Sequence, residues 1–125
     1  MTAKDWNHKQ VFVFGSNTAG RHGAGAARFA WNNCGAVWGI GRGRAAMSYA
    51  IPTKNESIET LPLSEIRIYV NEFLDYVREN KDIDFQLTPI GCGLAGYTPE
   101  DIAPMFKDSP GNVILPPEFL SVKNN

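Results

Sequence analysis

Glycine is concentrated in three clusters, each next to a short apolar segment. All but one of the 12 glycines lie in these clusters, which span residues 15–25, 35–43 and 91–97. The first follows the apolar run 11–14, and the third follows the run 85–90. Glycine at a strand end lets backbone N–H groups approach a ligand without an intervening Cβ. Such loops at the carboxyl ends of parallel strands bind phosphate groups, so two of them predict a phosphorylated ligand.

The first cluster offers side chains as well as backbone donors. Asn17 follows the strand, Arg21 and His22 come next, and Gly23 to Gly25 open a helix. An amide at a strand end can hold a ribose hydroxyl, and a helix entry can hold a diphosphate or distal ribose. An imidazole at this place is a candidate acid or base, or else it bonds to a loop carbonyl. The alternative for the whole loop is a tight turn whose glycines serve packing alone.

The third cluster predicts a phosphate-binding turn. Its three glycines within six residues form a nest of N–H groups. We expect Gly93 to lie where only backbone fits and where φ is positive. Cys92 is either a nucleophile or a small side chain under the loop, and no histidine in the loop activates it. Tyr97 covers an adenine or ribose face, or caps the core.

The second cluster carries two arginines, and the chain has three tryptophans. Arg42 and Arg44 are interpreted as a phosphate clamp on a flap, as a solvated loop, or as a contact to RNA backbone. Together with Trp6, Trp31 and Trp38 they support an alternative in which the chain is a non-enzymatic interaction or ligand-sequestering module. Aromatic residues and arginine are enriched at interfaces with protein partners.

Size and charge narrow the class of protein. The 125 residues, 43% of them hydrophobic, are enough for one domain with one core, here placed at about residues 10–119. A net charge of −1 argues against electrostatically driven nucleic-acid binding. Two cysteines are too few for a disulfide framework, which favours reduced thiols. Residues 1–10 lack an apolar leader, and no run reaches the length of a membrane span. We expect a cytoplasmic monomer without metal or cofactor.

Apolar patterning predicts alternating strands and helices. Residues 63–80 carry an apolar stripe at the helical period, with Pro62 in the first turn. Thr98 is the expected N-cap of a short helix over 99–106, which Pro104 bends or ends. Residues 33–47 read as loop. The other expected elements are strands at 10–14, 36–38, 48–51 (ended by Pro52), 85–90 and 112–115, and a helix at 23–32. This order predicts a single three-layer α/β/α domain with a mostly parallel or mixed sheet.

Three motifs resemble those of the macrodomains. A strand ending in Gly-Ser-Asn at 15–17 precedes Gly-Ala-Gly-Ala-Ala at 23–27, and Ser-Tyr-Ala-Ile-Pro-Thr at 48–53 is similar to the family's middle strand. The run from Pro89 to Tyr97 is similar to the macrodomain phosphate loop, and the resemblance covers roughly residues 10–115. It implies a macrodomain-like fold that binds ADP-ribose or a related phosphorylated nucleotide, and some macrodomains also hydrolyse ADP-ribosyl linkages.

The resemblance and the loops together define the expected site. For a hydrolase, Asn17 and His22 would orient the ribose and a water molecule. The residues expected to bind the ligand are Gly15, Ser16, Asn17, Gly23, Ala24, Gly25, Gly91, Cys92, Gly93, Leu94, Ala95, Gly96 and Tyr97.

Overall fold

The computed structural model describes residues 6–122, so the first half of the polar segment 1–10 and residues 123–125 lie outside the described part. The chain alternates strands and helices. In order, the elements are β1 (Val11–Asn17), α1 (Gly25–Asn33), β2 (Gly43–Ala45), β3 (Ser48–Lys54), α2 (Leu63–Glu79), β4 (Phe85–Leu87), α3 (Pro99–Ile102), a 3-10 turn (Ala103–Phe106), β5 (Val113–Ile114) and α4 (Pro117–Leu120).

The strands form one five-stranded mixed sheet in the order β2-β3-β1-β4-β5. β1 lies at the centre, where Val13 is paired with Tyr49 of β3 and with Leu87 of β4. β1, β3, β4 and β5 run parallel, and only β2 pairs antiparallel with its neighbour. The expected α/β class with a mixed sheet is confirmed.

Alternation along β1 builds two cores on opposite faces of the sheet. Val11 and Val13 belong to the larger cluster, which includes α2, the 3-10 turn and α4. Phe12 and Phe14 belong to the smaller cluster with α1. Successive side chains of a strand point to opposite faces, and all four of these are buried, so β1 must be covered on both sides. Helices therefore pack on both faces of the sheet.

The long amphipathic helix is confirmed. α2 ends within one residue of the expected boundary, and its buried residues are Ile66, Val70, Phe73, Leu74 and Val77. Burying side chains of this kind contributes about 1.5–3 kcal/mol each, so this stripe holds α2 on the sheet. Pro62 is the N-cap residue and not a member of the first turn.

Two expectations about the strands around the second glycine cluster are wrong. Residues 36–38 form no strand, and a turn begins at Trp38. The strand beside β3 is instead β2 at 43–45, inside the segment expected to be loop. β3 also continues through Pro52 to Lys54. Pro52 is tolerated because β2 pairs with β3 only as far as Ala50, so its missing N–H removes no ladder bond on that side.

Other boundaries shift by a few residues. β1 extends to Asn17 because β3 pairs with it that far. α1 begins at Gly25, not at residue 23. β4 stops at Leu87, since Pro89 cannot donate to a ladder. The expected N-cap at Thr98 is confirmed as a capping box with Asp101, and α4 was not predicted.

Candidate functional site

A cleft of about 760 Å³ lies where the carboxyl ends of the strands meet the start of α1. It is lined by the end of β1, the first turn of α1, the end of β3 and the turn at 88–95. The first and third glycine clusters therefore lie on the same cleft. Its volume is within the range usual for small-ligand sites, about 300–1,000 Å³.

Most of the expected ligand-binding residues line this cleft, but three site residues do not. Those in the lining are Gly15, Ser16, Asn17, Gly23, Ala24, Gly25, Gly91, Cys92, Gly93, Leu94 and Ala95. His22, Gly96 and Tyr97 lie outside it.

The start of α1 presents unpaired backbone donors to the cleft. Its N-cap residue, Ala24, has no side chain that could accept a hydrogen bond from the first turn. The first N–H with a partner belongs to Arg28, which donates to the Ala24 carbonyl over 3.2 Å. Within the described part of the chain, the N–H groups of residues 25–27 have no partner. A helix start with free donors and the positive end of its dipole attracts an anion.

The turn at 91–96 faces the same cleft with further free donors. The turn is closed by Gly96 N–H donating to Gly93 O over 3.0 Å and by Tyr97 N–H donating to Gly91 O over 2.9 Å. The N–H groups of residues 93–95 have no partner among the described residues. Consecutive free N–H groups in a turn form an anion-binding nest.

The glycines of this turn differ in what they require. Gly91 and Gly96 have φ of 75° and 90°, values that favour glycine. The expectation of a positive φ at Gly93 is wrong: its φ lies outside that region, and an added Cβ would meet nothing within 4 Å. In this structure the space in front of Gly93 is therefore open.

The cleft carries positive charge and no carboxylate. Arg21 and Lys54 are in its lining, and none of the described lining residues is Asp or Glu. Neither cation forms an ion pair with a described residue. Two free cations and two sets of free N–H donors make the cleft suited to a ligand with more than one negative charge.

The Asn17 amide bonds to the loop that follows it. Its Oδ1 accepts from Arg21 N–H, and its Nδ2 donates to Arg21 O, both over 2.9 Å. These two bonds close the turn between β1 and the start of α1. Asn17 thus lines the cleft, but its side chain is already engaged in positioning Arg21.

His22 is fully buried and anchors the first loop to residues 37–41, which we call the strap. Its Nε2 lies 3.0 Å from Val37 O and 3.1 Å from Ile40 O, so it donates to these carbonyls. Its ring packs edge-on against Phe14. Gly41 of the strap passes so close to β1 that a Cβ there would lie 1.9 Å from Asn17 O. This matches the alternative in which the imidazole bonds to a loop carbonyl.

The two arginines of the second cluster lie outside the cleft lining. The Nε and Nη2 atoms of Arg42 donate to the two carboxylate oxygens of Glu72 in α2. The same guanidinium lies 5.1 Å from the centre of the Tyr69 ring. That guanidinium lowers the pKa of the Glu72 carboxyl. Arg44 donates to Ala46 O and to the Tyr76 hydroxyl. Of the interpretations given for Arg42 and Arg44, the phosphate clamp is the one that these partners do not support.

Of the two roles considered for each residue, Cys92 fits that of a small side chain under the loop, and Tyr97 fits that of a cap on the core. Burial, with a smaller effect of Asp101, raises the pKa of the Cys92 thiol to about 11, which is unsuited to a nucleophile at neutral pH. The Tyr97 hydroxyl donates to Leu61 O over 2.7 Å, and its ring packs on the larger core. Tyr97 thus holds the end of the turn against the sheet.

Sequence reasoning missed several lining residues at the end of β3 and beyond. Thr53 and Lys54 lie in the lining because β3 runs past Pro52, and Ile58 lies there in the following turn. A strand expected to stop at Ile51 could not place them. The signal that could have placed them is the Pro-Thr-Lys run at 52–54. It ends β3, which pairs with β1, and the first glycine cluster lies at the end of β1.

The tryptophans separate into one core residue and one exposed pair. Trp6 is buried in the smaller core. Trp31 and Trp38 are 45% and 49% exposed, and their rings lie 4.9 Å apart. Val37 and Ile40 of the strap are exposed beside them in the chain. This face is separate from the cleft lining.

No family model matches the chain, and neither a curated protein nor a solved structure matches it significantly. The macrodomain resemblance therefore rests on its motifs. Within residues 6–122, no helix is both long and apolar enough to cross a membrane. The same residues contain no group of three His, Cys, Asp or Glu side chains placed to hold a metal ion.

Proposed function

We propose that the chain binds ADP-ribose or a closely related phosphorylated nucleotide in this cleft. The observation that carries the proposal is the convergence of two unpaired donor sets, at residues 25–27 and 93–95, on one cleft. Two donor sets suit the two phosphates of a diphosphate, since each phosphate oxygen accepts several charge-assisted hydrogen bonds. Each donor set lies within one of the macrodomain-like motifs: residues 25–27 within the motif at 23–27, and residues 93–95 within the motif at 89–97.

Charge supports the same class of ligand. Arg21 and Lys54 add two cations to the donors, and no described lining residue opposes them with a carboxylate. A neutral nucleoside would leave these cations without a partner, whereas a nucleoside diphosphate derivative neutralises them. The volume of about 760 Å³ leaves room beside the phosphates for ribose and base.

We propose binding and not hydrolysis as the principal activity. His22 is buried against the strap, and the amide of Asn17 is bonded at both ends to Arg21. Cys92 has a raised pKa, and the described lining offers no Asp or Glu as a base. A hydrolase would need one of these groups to orient or deprotonate a water molecule at the anomeric carbon.

Calorimetric titration of ADP-ribose, NAD, ADP, adenosine and cyclic nucleotides into the purified protein tests this proposal. We expect ADP-ribose to bind with a dissociation constant well below millimolar and adenosine to bind more weakly than ADP. If none of the phosphorylated ligands binds more tightly than millimolar, the proposal fails. Release of ADP-ribose from an ADP-ribosylated protein, measured beside the titration, would show hydrolysis, and its loss in Asn17→Ala and His22→Ala would assign these residues to it.

A second candidate function is recognition of a protein partner by the exposed tryptophan face. Aromatic side chains that pack on each other in solvent are unusual on a monomer's surface and are enriched at interfaces. Trp31 and Trp38 form such a pair, and Val37 and Ile40, which lie close to Trp38 in the chain, are also exposed. Gel filtration of the wild type and of Trp38→Ser shows whether this face mediates self-association. RNA-binding measurements at several salt concentrations show whether the partner is a nucleic acid instead.

A further inference from the structure

Ile58 has a backbone conformation that its side chain disfavours. Its φ is 62°, in the left-handed region, and a β-branched residue there is a true outlier. The other described non-glycine residue with a positive φ is Ala46. Strain of this kind persists where the surroundings fix it, and it is often found at functional sites.

The turn that imposes this conformation is well bonded. Ile58 N–H donates to Asn55 O over 3.0 Å, and Asn55 N–H donates to Glu59 O over 2.8 Å. The Asn55 side chain accepts from Ser57 N–H and Glu59 N–H. This is a hairpin-type loop whose third residue must be left-handed, the position normally filled by glycine. A residue selected for the turn alone would therefore be glycine or asparagine.

The Ile58 side chain is not part of either hydrophobic core. It is 44% exposed. It does line the cleft, as does Leu94, which is 78% exposed and equally outside both cores. The two turns are joined, because the Thr60 hydroxyl donates to Ala95 O over 2.9 Å. Ile58 and Leu94 are the two exposed large aliphatic residues in the described cleft lining, and we call them the apolar rim.

We infer that this rim covers the nucleoside part of the phosphorylated ligand and determines affinity for it. The inference rests on the proposed function, since it assumes a phosphate bound by the adjacent turn. Sugar and base faces are apolar surfaces that two aliphatic side chains can shield from water. The cleft's aromatic residues are less suited to this role, because Phe12 is buried and Phe29 already packs against it at 5.0 Å. The strain at Ile58 is then retained for the contact it provides.

The test compares ADP-ribose with inorganic pyrophosphate in the wild type, Ile58→Gly and Leu94→Ser. Ile58→Gly removes the side chain and relieves the left-handed strain, so we expect an unchanged or higher melting temperature. We expect each variant to bind ADP-ribose about tenfold more weakly, because an aliphatic contact is lost. In Ile58→Gly, pyrophosphate affinity should stay within about twofold of the wild type, because Ile58 is not one of the backbone donors. Ile68→Ser, at an exposed isoleucine of α2, is the matched control.

The outcomes separate the two proposals. A wild type that binds neither probe overturns the proposed function and this inference with it. A wild type that binds ADP-ribose and keeps its affinity in Ile58→Gly and Leu94→Ser overturns the inference alone. The inference is also overturned if Ile58→Gly loses pyrophosphate and ADP-ribose affinity in equal measure, since the rim would then act through the phosphate turn. Weaker ADP-ribose binding with intact pyrophosphate binding and stability supports it.

Discussion

Substitution of Gly93 by valine separates the phosphate turn's role in binding from its role in folding. Gly93 has no left-handed φ, and an added Cβ meets nothing within 4 Å. The folded protein can therefore accept the side chain, and losing a glycine restricts the unfolded chain. We expect the free energy of unfolding to change by less than about 1 kcal/mol. Ligand binding should nevertheless fall sharply, because the branched side chain occupies the approach to the N–H groups of residues 93–95.

The size of the loss follows from the donors that would be blocked. A hydrogen bond to a charged phosphate contributes about 1.5–3 kcal/mol, so losing one or two of them costs about 3 kcal/mol. That corresponds to a dissociation constant raised by roughly a hundredfold. The measurement is calorimetric titration of ADP-ribose beside a thermal melt of the same sample.

Gly91→Ala is the contrasting variant in the same turn. Gly91 has φ of 75°, and an added Cβ would lie 3.1 Å from Ile102 Cδ1. A left-handed alanine costs about 1–2 kcal/mol, which lowers the melting temperature by roughly 3–8 °C in a domain of this size. Thr18→Val is the binding control, because Thr18 is exposed and outside the cleft lining. Normal ADP-ribose binding by Gly93→Val, or its unfolding, would refute the reasoning.

Two further predictions concern charge. Arg21→Gln and Lys54→Gln should each weaken ADP-ribose binding about tenfold at low salt and less at high salt, while the control Arg42→Gln leaves it unchanged. Titration of each variant at two ionic strengths checks this prediction, and an equal loss of affinity in Arg42→Gln would contradict it. Burial raises the pKa of Cys34 to about 12 and that of Cys92 to about 11. Because the folded protein keeps these thiols protonated, its free energy of unfolding does not depend on them below the unfolded thiol pKa near 9. Above that pH the unfolded chain loses thiol protons first, so the free energy of unfolding falls as the pH rises toward 12. The urea midpoint should therefore show no effect of the thiols up to about pH 8.5 and then fall. Midpoints that rise above pH 9 would show that the thiols are not buried as described.

Local patterning was enough to predict the elements that bury one face or both. The stripe on α2 has the helical period and so marks the buried face of the helix. The apolar run of β1 is continuous, which is typical of a strand buried on both faces. The glycine clusters were equally informative about where backbone would be exposed to a ligand. They could not tell which glycine needs a left-handed φ: Gly91 and Gly96 do, and Gly93 does not.

Side-chain partners could not be predicted from the sequence because they join distant segments. Nothing near Arg42 in the chain predicts that Glu72 binds it, and nothing near His22 predicts the strap carbonyls of Val37 and Ile40. Both partners are brought there by packing of the sheet.

Local composition and period are sufficient to specify the α/β class, the long helix and the two loops that carry free backbone donors. That these loops share one cleft with Lys54 and Ile58 follows only from the packed sheet. The physical reason is that β3 runs past Pro52, which is permitted because β2 pairs with β3 only as far as Ala50.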